Sequence, residues 1–383
     1  MTAAPSPTPH RPLVDIIAGA RPNFMKIAPI IRAIEARQRD PAAGGTLAYR
    51  LVHTGQHYDA RMSGDFFTQL GIPAPDVNLE VGSGTQAEQT AAIMTRYERL
   101  LLDAPSALCL VVGDVTSTMA CAIAAQKLHV PVAHVEGGIR SGDWTMPEEI
   151  NRLVTDAITN WFFTTSEVAN ANLRRAGVRA EQIFFVGNTM IDTLLAHLDR
   201  LRAPPFWAEA GLEPGRYFVM TLHRPANVDD AAGFQRLIDA VGEATRGLPV
   251  VFPVHPRTAK TLAALPARPA GLRVVEPQPY LEFNYLVRHA KGVITDSGGI
   301  TEETTVMGVP CVTLRDSTER PETVTIGTNE LIGTDPAALR PALDRLFAGQ
   351  WKKGAIPELW DGRTGGRIAE VLERLLARRA SGC

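Results

Sequence analysis

Short apolar runs alternate with longer amphipathic stretches along the first half of the chain. The runs lie in "PLVDIIAG", "YRLVHTG", "ALCLVVGD", "PVAHVEGG", "NWFFTTS" and "QIFFVGN". Strands covered on both faces have such unbroken apolar runs, whereas half-exposed strands alternate apolar and polar positions. Helical patterns separate the runs at about residues 87–103, 117–129, 148–158 and 167–176. This succession predicts a parallel sheet with helices on both faces.

The alternation is interrupted at residues 203–215, "APPFWAEAGLEPG", and then begins again. The second series contains "RYFVMTLHR", "PVVFPVHP", "LRVVEPQ", "KGVITDS" and "VPCVTLRD". We therefore predict two doubly wound parallel-sheet α/β domains, at residues 13–195 and 196–360. Residues 361–383 are expected to form a helix that packs back on the first domain. Residues 1–12, rich in proline and small residues, predict a disordered lead without a signal peptide.

The composition of the chain excludes several classes of binding partner and of metal site. The chain has 39 Lys and Arg against 41 Asp and Glu, which argues against nucleic-acid and membrane-surface partners. No apolar run approaches the ~20 residues that a membrane-spanning helix needs. The four cysteines lack metal-ligand spacing, and Cys109 and Cys311 lie within apolar runs. We therefore predict a reduced, cytoplasmic protein without a metal site.

Polar residues follow many of the apolar runs. Ligands bind beyond the carboxyl ends of the strands in open parallel sheets. In the first half these positions hold Arg21, Lys26, Gln56, His57, Asp114 and Glu136. In the second half they hold His223, Ser297, Gly298 and Gly299. We expect these residues to gather at one edge of each sheet, so that the two domains face each other across a cleft.

The most informative single motif is "TDSGGITEE", residues 295–303. Backbone N–H groups at a helix start bind phosphate, and glycine allows close approach. An acid one turn later, Glu302 or Glu303, can accept hydrogen bonds from ribose hydroxyls. The alternative is an ordinary helix start capped by Ser297, with acids favoured by the helix dipole. The sheet edge and the acid together favour a nucleotide-diphosphate site.

Two common nucleotide motifs are absent from the sequence. It contains no GxxxxGK[ST], which disfavours a P-loop NTPase. No complete GxGxxG follows the first apolar run, which disfavours a nicotinamide site. No cofactor is therefore predicted.

Several motifs resemble those of a known family. They include "GARPNFMKIAPI", "TGQHYD", "GDVTSTMACA", "HVEGGIRSGD", "MPEEINR", "TLHRPANVD" and "TDSGGITEETTVMGVPCVTLRDSTERPETV", in this order between about residues 14 and 333. Together they resemble the UDP-N-acetylglucosamine 2-epimerases, above all the non-hydrolysing branch. The resemblance implies the GT-B fold, with two Rossmann-like domains around a cleft. It also implies UDP-N-acetylglucosamine (UDP-GlcNAc) as substrate, no cofactor and a homodimer.

The resemblance also implies residue roles. It implies catalytic roles for Asp114, Glu136, Glu148 and His223, the histidine at the diphosphate. It implies UDP-sugar contacts for Arg21, Lys26, Gln278, Phe283, Ser297, Gly298, Gly299, Glu303 and Arg320. Gln56 and His57 match residues of an allosteric UDP-GlcNAc site. This chain departs from the common pattern at Gly138 and Thr301, and the loop before Glu148 is short.

The implied reaction has a chemical difficulty, because the C2 proton of a pyranoside is not acidic. Elimination of UDP to 2-acetamidoglucal, followed by re-addition, overcomes this difficulty. Acid–base groups near C2 are then needed, and neighbouring carboxylates can act as donor and acceptor. The product would be UDP-N-acetylmannosamine (UDP-ManNAc), a precursor of cell-surface polysaccharide.

The sequence leaves four alternatives open. They are a hydrolysing 2-epimerase that releases UDP and free N-acetylmannosamine, an epimerase of a UDP-2,3-diacetamido uronic acid, a GT-B glycosyltransferase, and a nucleotide-sugar sensor without catalysis. The cluster of acids favours an epimerase over a transferase, which needs an acceptor groove instead.

Overall fold

The computed structural model describes residues 11–40, 45–55, 69–254 and 256–380. The chain divides into two compact units. Unit 1 comprises Met1–Thr193 and Asp361–Cys383, and unit 2 comprises Leu194–Trp360. Unit 2 is therefore a continuous segment inserted into the sequence of unit 1.

Within the described residues, unit 1 has a seven-stranded parallel sheet in the order β3-β2-β1-β4-β5-β6-β7. The strands are β1 (Leu13–Ala18), β2 (Ala48–His53), β3 (Val77–Asn78), β4 (Leu108–Val112), β5 (Val132–Val135), β6 (Trp161–Thr164) and β7 (Ile183–Phe185). The helices are α1 (Arg21–Arg39), α2 (Gln86–Asp103), α3 (Thr116–Lys127), α4 (Pro147–Ala157) and α5 (Glu167–Arg175). Helix α6 (Thr189–His197) contains the division between the units.

Unit 2 repeats this design with a six-stranded parallel sheet in the order β10-β9-β8-β11-β12-β13, counted over its described residues. Its strands are β8 (Phe218–Thr221), β9 (Val250–Pro253), β10 (Leu272–Val275), β11 (Gly292–Thr295), β12 (Cys311–Thr313) and β13 (Asn329–Leu331). Its helices are α7 (Pro225–Val228), α8 (Ala231–Ala244), α9 (Pro256–Ala263), α10 (Tyr280–His289), α11 (Gly298–Met307), α12 (Pro321–Thr325) and α13 (Leu339–Phe347). Helix α14 (Thr364–Ala380) belongs to unit 1.

Burial explains why the central strands have no polar alternation. Every residue of β4 and β5 is buried, because helices cover both faces of a parallel sheet. Helix α3 lies against this sheet through small side chains such as Ala120, Ala122 and Ala125, all of them buried. None of the helices in the described ranges is both long and apolar enough to cross a membrane.

Helix α14 packs on helix α1 within unit 1. Arg37 of α1 donates to Glu373 of α14 at 2.9 Å and 2.6 Å. At the start of α14, the Gly365 N–H donates to Asp192 at 2.7 Å. A Cβ on Gly365 would overlap the carbonyl oxygen of Pro29, so only glycine permits this close approach.

Candidate functional site

Both sheets reverse their strand order at one point, between β1 and β4 in unit 1 and between β8 and β11 in unit 2. Ligands of open parallel sheets bind outside the strand ends at such switch points. In unit 1, helix α1 follows β1 and the Gly113–Asp114 loop follows β4. In unit 2, His223 follows β8 and Asp296–Ser297 follows β11. Sequence-predicted residues therefore lie at both switch points.

A buried ion pair lies at the switch point of unit 1. The Asn23 side chain accepts hydrogen bonds from the Gly19 and Ala20 N–H groups and donates to the Val112 carbonyl at 2.9 Å. These bonds fix the start of α1 against the end of β4. One turn later, Lys26 Nζ donates to Glu136 Oε2 at 2.8 Å. The structure thus brings two predicted residues together in a nearly water-free place.

The backbone at Glu136 is unusual. Its φ is +71°, in the left-handed region that non-glycine residues rarely occupy. Strained backbone of this kind persists only where surrounding bonds hold it. The Glu136 N–H donates to the Phe163 carbonyl at 2.9 Å, and the Gly138 N–H donates to Asp156 at 2.9 Å. The position of the Glu136 carboxylate is thus determined by a fixed turn.

Asp114 is tied to helix α4. Its Oδ2 accepts from Arg152 Nη1 at 3.0 Å, and its carbonyl accepts from Asn151 Nδ2 at 2.9 Å. Arg152 is fully buried and also pairs with Glu149 at 3.0 Å. The loop that carries Asp114 and the first half of α4 therefore form one hydrogen-bonded assembly.

The two glutamates of "MPEE" have different surroundings. Glu149 is buried and accepts from the Ser141 and Gly142 N–H groups, both at 3.0 Å. Burial works against ionisation, but these bonds and Arg152 outweigh it and lower the pKa of Glu149. Glu148 is half-buried, and its side chain has no hydrogen bond within the described residues. Glu149 therefore supports the loop, whereas the Glu148 side chain is partly exposed to solvent.

A buried His–Asp pair, which the sequence analysis did not identify, links the two acid-bearing loops. His134 Nδ1 lies 2.7 Å from Asp156 Oδ1, and Nε2 lies 2.7 Å from the Gly113 carbonyl oxygen. Arg140 adds an ion pair to Asp156 at 2.6 Å. Burial opposes ionisation of Asp156, but bonds and charges from His134 and Arg140 lower its pKa. Both ring nitrogens thus contact oxygen atoms, which fixes the orientation of the His134 ring between the Gly113 loop and helix α4.

In unit 2 the predicted His223 is held by a carboxylate that the sequence analysis also missed. Asp296 is fully buried and accepts from the His223 and Arg224 N–H groups and from Asn227 Nδ2. His223 Nδ1 lies 2.8 Å from Asp296 Oδ1. Burial opposes ionisation of Asp296, but the His223 bond leads the groups that lower its pKa. The ring is therefore oriented with Nε2 away from Asp296.

The Ser297-Gly298-Gly299 segment begins helix α11, and the Ser297 side chain does not cap it. The first N–H groups of a helix have no partner within the helix, so this start can receive an anion. One turn later, the Glu303 carboxylate accepts from Tyr280 Oη at 3.0 Å and from Asn284 Nδ2 at 3.4 Å. Burial raises the pKa of Glu303 to about 7 although both groups donate to it.

The other predicted contacts have different surroundings. Arg320 is buried, and its Nε pairs with Glu302 Oε1 at 2.7 Å. Gln278 Nε2 donates to the Glu276 carbonyl at 2.7 Å. Phe283 packs against the apolar cluster of unit 2. Arg21 is the first residue of α1, and its side chain is not described; Gln56 and His57 lie outside the described residues.

Glu303 gives the first prediction. Below about pH 4.5 the carboxyl is protonated in folded and unfolded chains alike, so it adds no pH dependence. Between its ordinary value of 4.5 and about 7, only the unfolded chain ionises, so stability falls as pH rises. The whole difference corresponds to about 3 kcal/mol. We expect Glu303→Gln to be about 3 kcal/mol more stable than wild type at pH 8 and no different at pH 4.

Denaturant unfolding at pH 4, 6 and 8 measures this effect. Glu213→Gln is the matched control, because Glu213 is exposed in the same unit. An unchanged pH dependence in Glu303→Gln would show that Glu303 is ionised in the folded chain at pH 6.

Comparisons with known proteins identify the family of this chain. A family model for UDP-N-acetylglucosamine 2-epimerase matches residues 42–373. The protein of that name from Methanocaldococcus jannaschii is 38% identical, over 94% of this chain and 98% of the relative. The UDP-2,3-diacetamido-2,3-dideoxy-D-glucuronate 2-epimerase of Pseudomonas aeruginosa is 39% identical, over 94% of this chain and 99% of the relative.

A solved structure extends the similarity to the fold. The crystal structure of the M. jannaschii UDP-GlcNAc 2-epimerase in complex with UDP-GlcNAc and UDP matches with a TM-score of 0.84 at 37% identity. The match covers 94% of this chain and 99% of that chain. The predicted class, two Rossmann-like parallel-sheet domains of the GT-B type, is confirmed. The chain belongs to the UDP-N-acetylglucosamine 2-epimerase family and is a nucleotide-sugar epimerase.

Proposed function

We propose that the chain is a non-hydrolysing UDP-GlcNAc 2-epimerase that interconverts UDP-GlcNAc and UDP-ManNAc. The observation that carries the proposal is the buried Lys26–Glu136 pair, on a strained turn beside the Asp114 loop. Backbone strain and the burial of a charge both cost stability, so a carboxylate at this position favours a catalytic role over a packing role.

The proposed reaction is an elimination followed by an addition. The C2 proton leaves as the C1–O bond to UDP breaks, giving 2-acetamidoglucal and UDP. Re-addition of UDP to C1, with protonation of C2 from the opposite face, gives the epimer. No atom is gained or lost overall, so no oxidant or further reactant is needed.

The acids of unit 1 suit the proton transfers. Lys26 pairs with the Glu136 carboxylate, and the ionised carboxylate is the form that can accept the C2 proton. Asp114 is about one-third exposed, so it can meet a substrate while Arg152 holds its other side. Glu148 is the third proposed acid. We propose that these three carboxylates serve the two faces of C2.

The groups of unit 2 suit the departure of UDP. Negative charge accumulates on the diphosphate as the C1–O bond breaks, and preoriented donors stabilise it. We propose that His223, oriented by Asp296, and the N–H groups of Gly298 and Gly299 supply these donors. Glu303 is the proposed partner of the ribose hydroxyls, and Gln278 and Phe283 are proposed for the uracil.

The test is incubation of the full chain with UDP-GlcNAc in deuterated water. We expect UDP-ManNAc to form and deuterium to appear at C2 of both sugars, because each passage through the glycal exchanges that proton. Mass spectrometry and proton NMR measure the label. Epimerisation without deuterium at C2 would rule out the elimination mechanism.

The same reaction mixture separates two further alternatives. Free N-acetylmannosamine with UDP would indicate a hydrolysing enzyme, whereas UDP-ManNAc alone supports the non-hydrolysing reaction. Turnover of UDP-2,3-diacetamido-2,3-dideoxy-D-glucuronate in preference to UDP-GlcNAc would favour the activity named for the P. aeruginosa relative. We further propose a cytoplasmic homodimer that supplies polysaccharide precursors, which sedimentation and cell fractionation test.

A further inference from the structure

Arg315 lies at the carboxyl end of β12, next to the switch point of unit 2. Strands β11 and β12 are neighbours, and the Leu314 N–H donates to the Thr295 carbonyl at 2.8 Å. Arg315 therefore lies at the sheet edge that carries Asp296 and Ser297. It is only 5% exposed, which is unusual for an arginine outside a ligand site or a complete ion-pair network.

The guanidinium of Arg315 is only partly satisfied. Its Nη2 donates to Glu319 Oε2 at 2.7 Å. Its Nη1 is buried and has no hydrogen-bond partner within the described residues. That atom lies 3.9 Å from the position a Cβ on Gly298 would take, so it is directed at the start of α11. A charged donor that is buried without a hydrogen bond costs stability, unless a ligand accepts that hydrogen bond.

Glu319 lies at the same helix start. A Cβ on Gly298 would overlap Glu319 Oε1, so glycine is required for the carboxylate to lie there. Burial works against ionisation of Glu319, but Arg315 and then Arg320 lower its pKa to about 2. Two side chains therefore lie beside the start of α11: the Glu319 carboxylate, and the buried Arg315 guanidinium, whose Nη1 has no hydrogen-bond partner within the described residues.

We propose that Arg315 is a diphosphate-binding residue and that Glu319 is an internal anion that the diphosphate displaces from Arg315. The inference rests on the proposed function, which supplies the nucleotide diphosphate. A helix start attracts phosphate, and an arginine beside it adds a charge-assisted hydrogen bond. Arg320 is also close enough to Glu319 to lower its pKa, but its Nε pairs with Glu302 Oε1 at 2.7 Å.

The experiment measures the affinity of the full chain for UDP, UMP and uridine by calorimetry and ligand NMR. We expect Arg315→Gln to bind UDP about 10- to 100-fold more weakly, the loss expected for one hydrogen bond to a charged group. Uridine binding is expected to stay unchanged, since the nucleoside has no phosphate. Glu319→Gln is expected to bind UDP about fivefold or more tightly than wild type, because the competing anion is removed.

Arg216→Gln is the matched control, because this exposed arginine pairs with Glu213 in the same unit. Equal UDP affinity in Arg315→Gln and wild type would overturn the role of Arg315, as would an equal loss of uridine and UDP binding. Weaker UDP binding by Glu319→Gln would overturn the displacement by showing that Glu319 supports Arg315 instead. If wild type bound none of the three ligands, the proposed function itself would be wrong.

Discussion

Glu136→Gln is expected to lower the rate of epimerisation by about 10³-fold, because it removes the proposed general base. Glutamine has nearly the same shape as glutamate but cannot take a proton from C2. It also leaves the Lys26 ammonium without its buried counter-charge. UDP affinity is expected to stay near the wild-type value, because the residues of unit 2 proposed to bind the diphosphate and the ribose are unchanged. A large fall in kcat with little change in UDP binding is therefore the diagnostic result.

Steady-state kinetics and UDP titration measure the two quantities on the same preparation. Glu98→Gln is the matched control, since Glu98 is exposed on α2 and keeps the same change of charge. Deuterium exchange at C2 is expected to fall in parallel with turnover. Near-full turnover in Glu136→Gln would remove Glu136 from the proton transfer and leave Asp114 or Glu148 as the base.

The second large expected effect is on stability. We expect Asp156→Asn to lower the free energy of unfolding by about 3–5 kcal/mol near neutral pH. The Asp156 carboxylate is the common partner of His134, Arg140 and the Gly138 N–H. An amide keeps the size but removes the charge, so the Arg140 guanidinium loses its counter-ion and the His134 ring loses its carboxylate partner. Because the pKa of Asp156 is lowered from 3.8, its contribution is present above that pH and is lost below it.

Denaturant unfolding at pH 7 and below pH 3 tests both statements, with Asp103→Asn, an exposed aspartate of unit 1, as control. The loss is expected to shrink at the lower pH. The double variant with His134→Asn measures the coupling of the pair, which should exceed 1 kcal/mol for groups in direct contact. Strictly additive losses would show that His134 and Asp156 act independently.

The fold class was predictable because the central strands of a covered parallel sheet are mostly apolar and do not alternate apolar and polar positions. Runs such as "ALCLVVGD" and "PVAHVEGG" correspond to β4 and β5, which are buried throughout. The two-residue strand β3 was missed because Val77–Asn78 is too short to form a pattern. Helix α6, which follows "QIFFVGN", was missed as well, because its mostly apolar sequence lacks a clear polar face.

The chain pattern also located polar groups that follow strands, such as Glu136 and His223. It did not identify the buried His134–Asp156 pair or Asp296, the partner of His223. In the sequence His134 is one residue of an apolar strand and Asp296 is one acid after a strand, and only the folded chain brings Asp156 and His223 beside them. Sequence spacing likewise cannot separate Glu148 from Glu149. Only the structure shows that Glu149 lies inward, three residues before its partner Arg152.

The insertion of unit 2 into unit 1 has a consequence for the order of folding during synthesis. All seven described strands of unit 1 and the whole of Leu194–Trp360 leave the ribosome before Asp361. Unit 1 nevertheless stays incomplete until then, since α1 must wait for α14, and Arg37 and Glu373 are 336 residues apart. The apolar face of α1 that α14 covers is therefore exposed until α14 has been synthesised, and this is the interval in which a nascent chain most needs a chaperone.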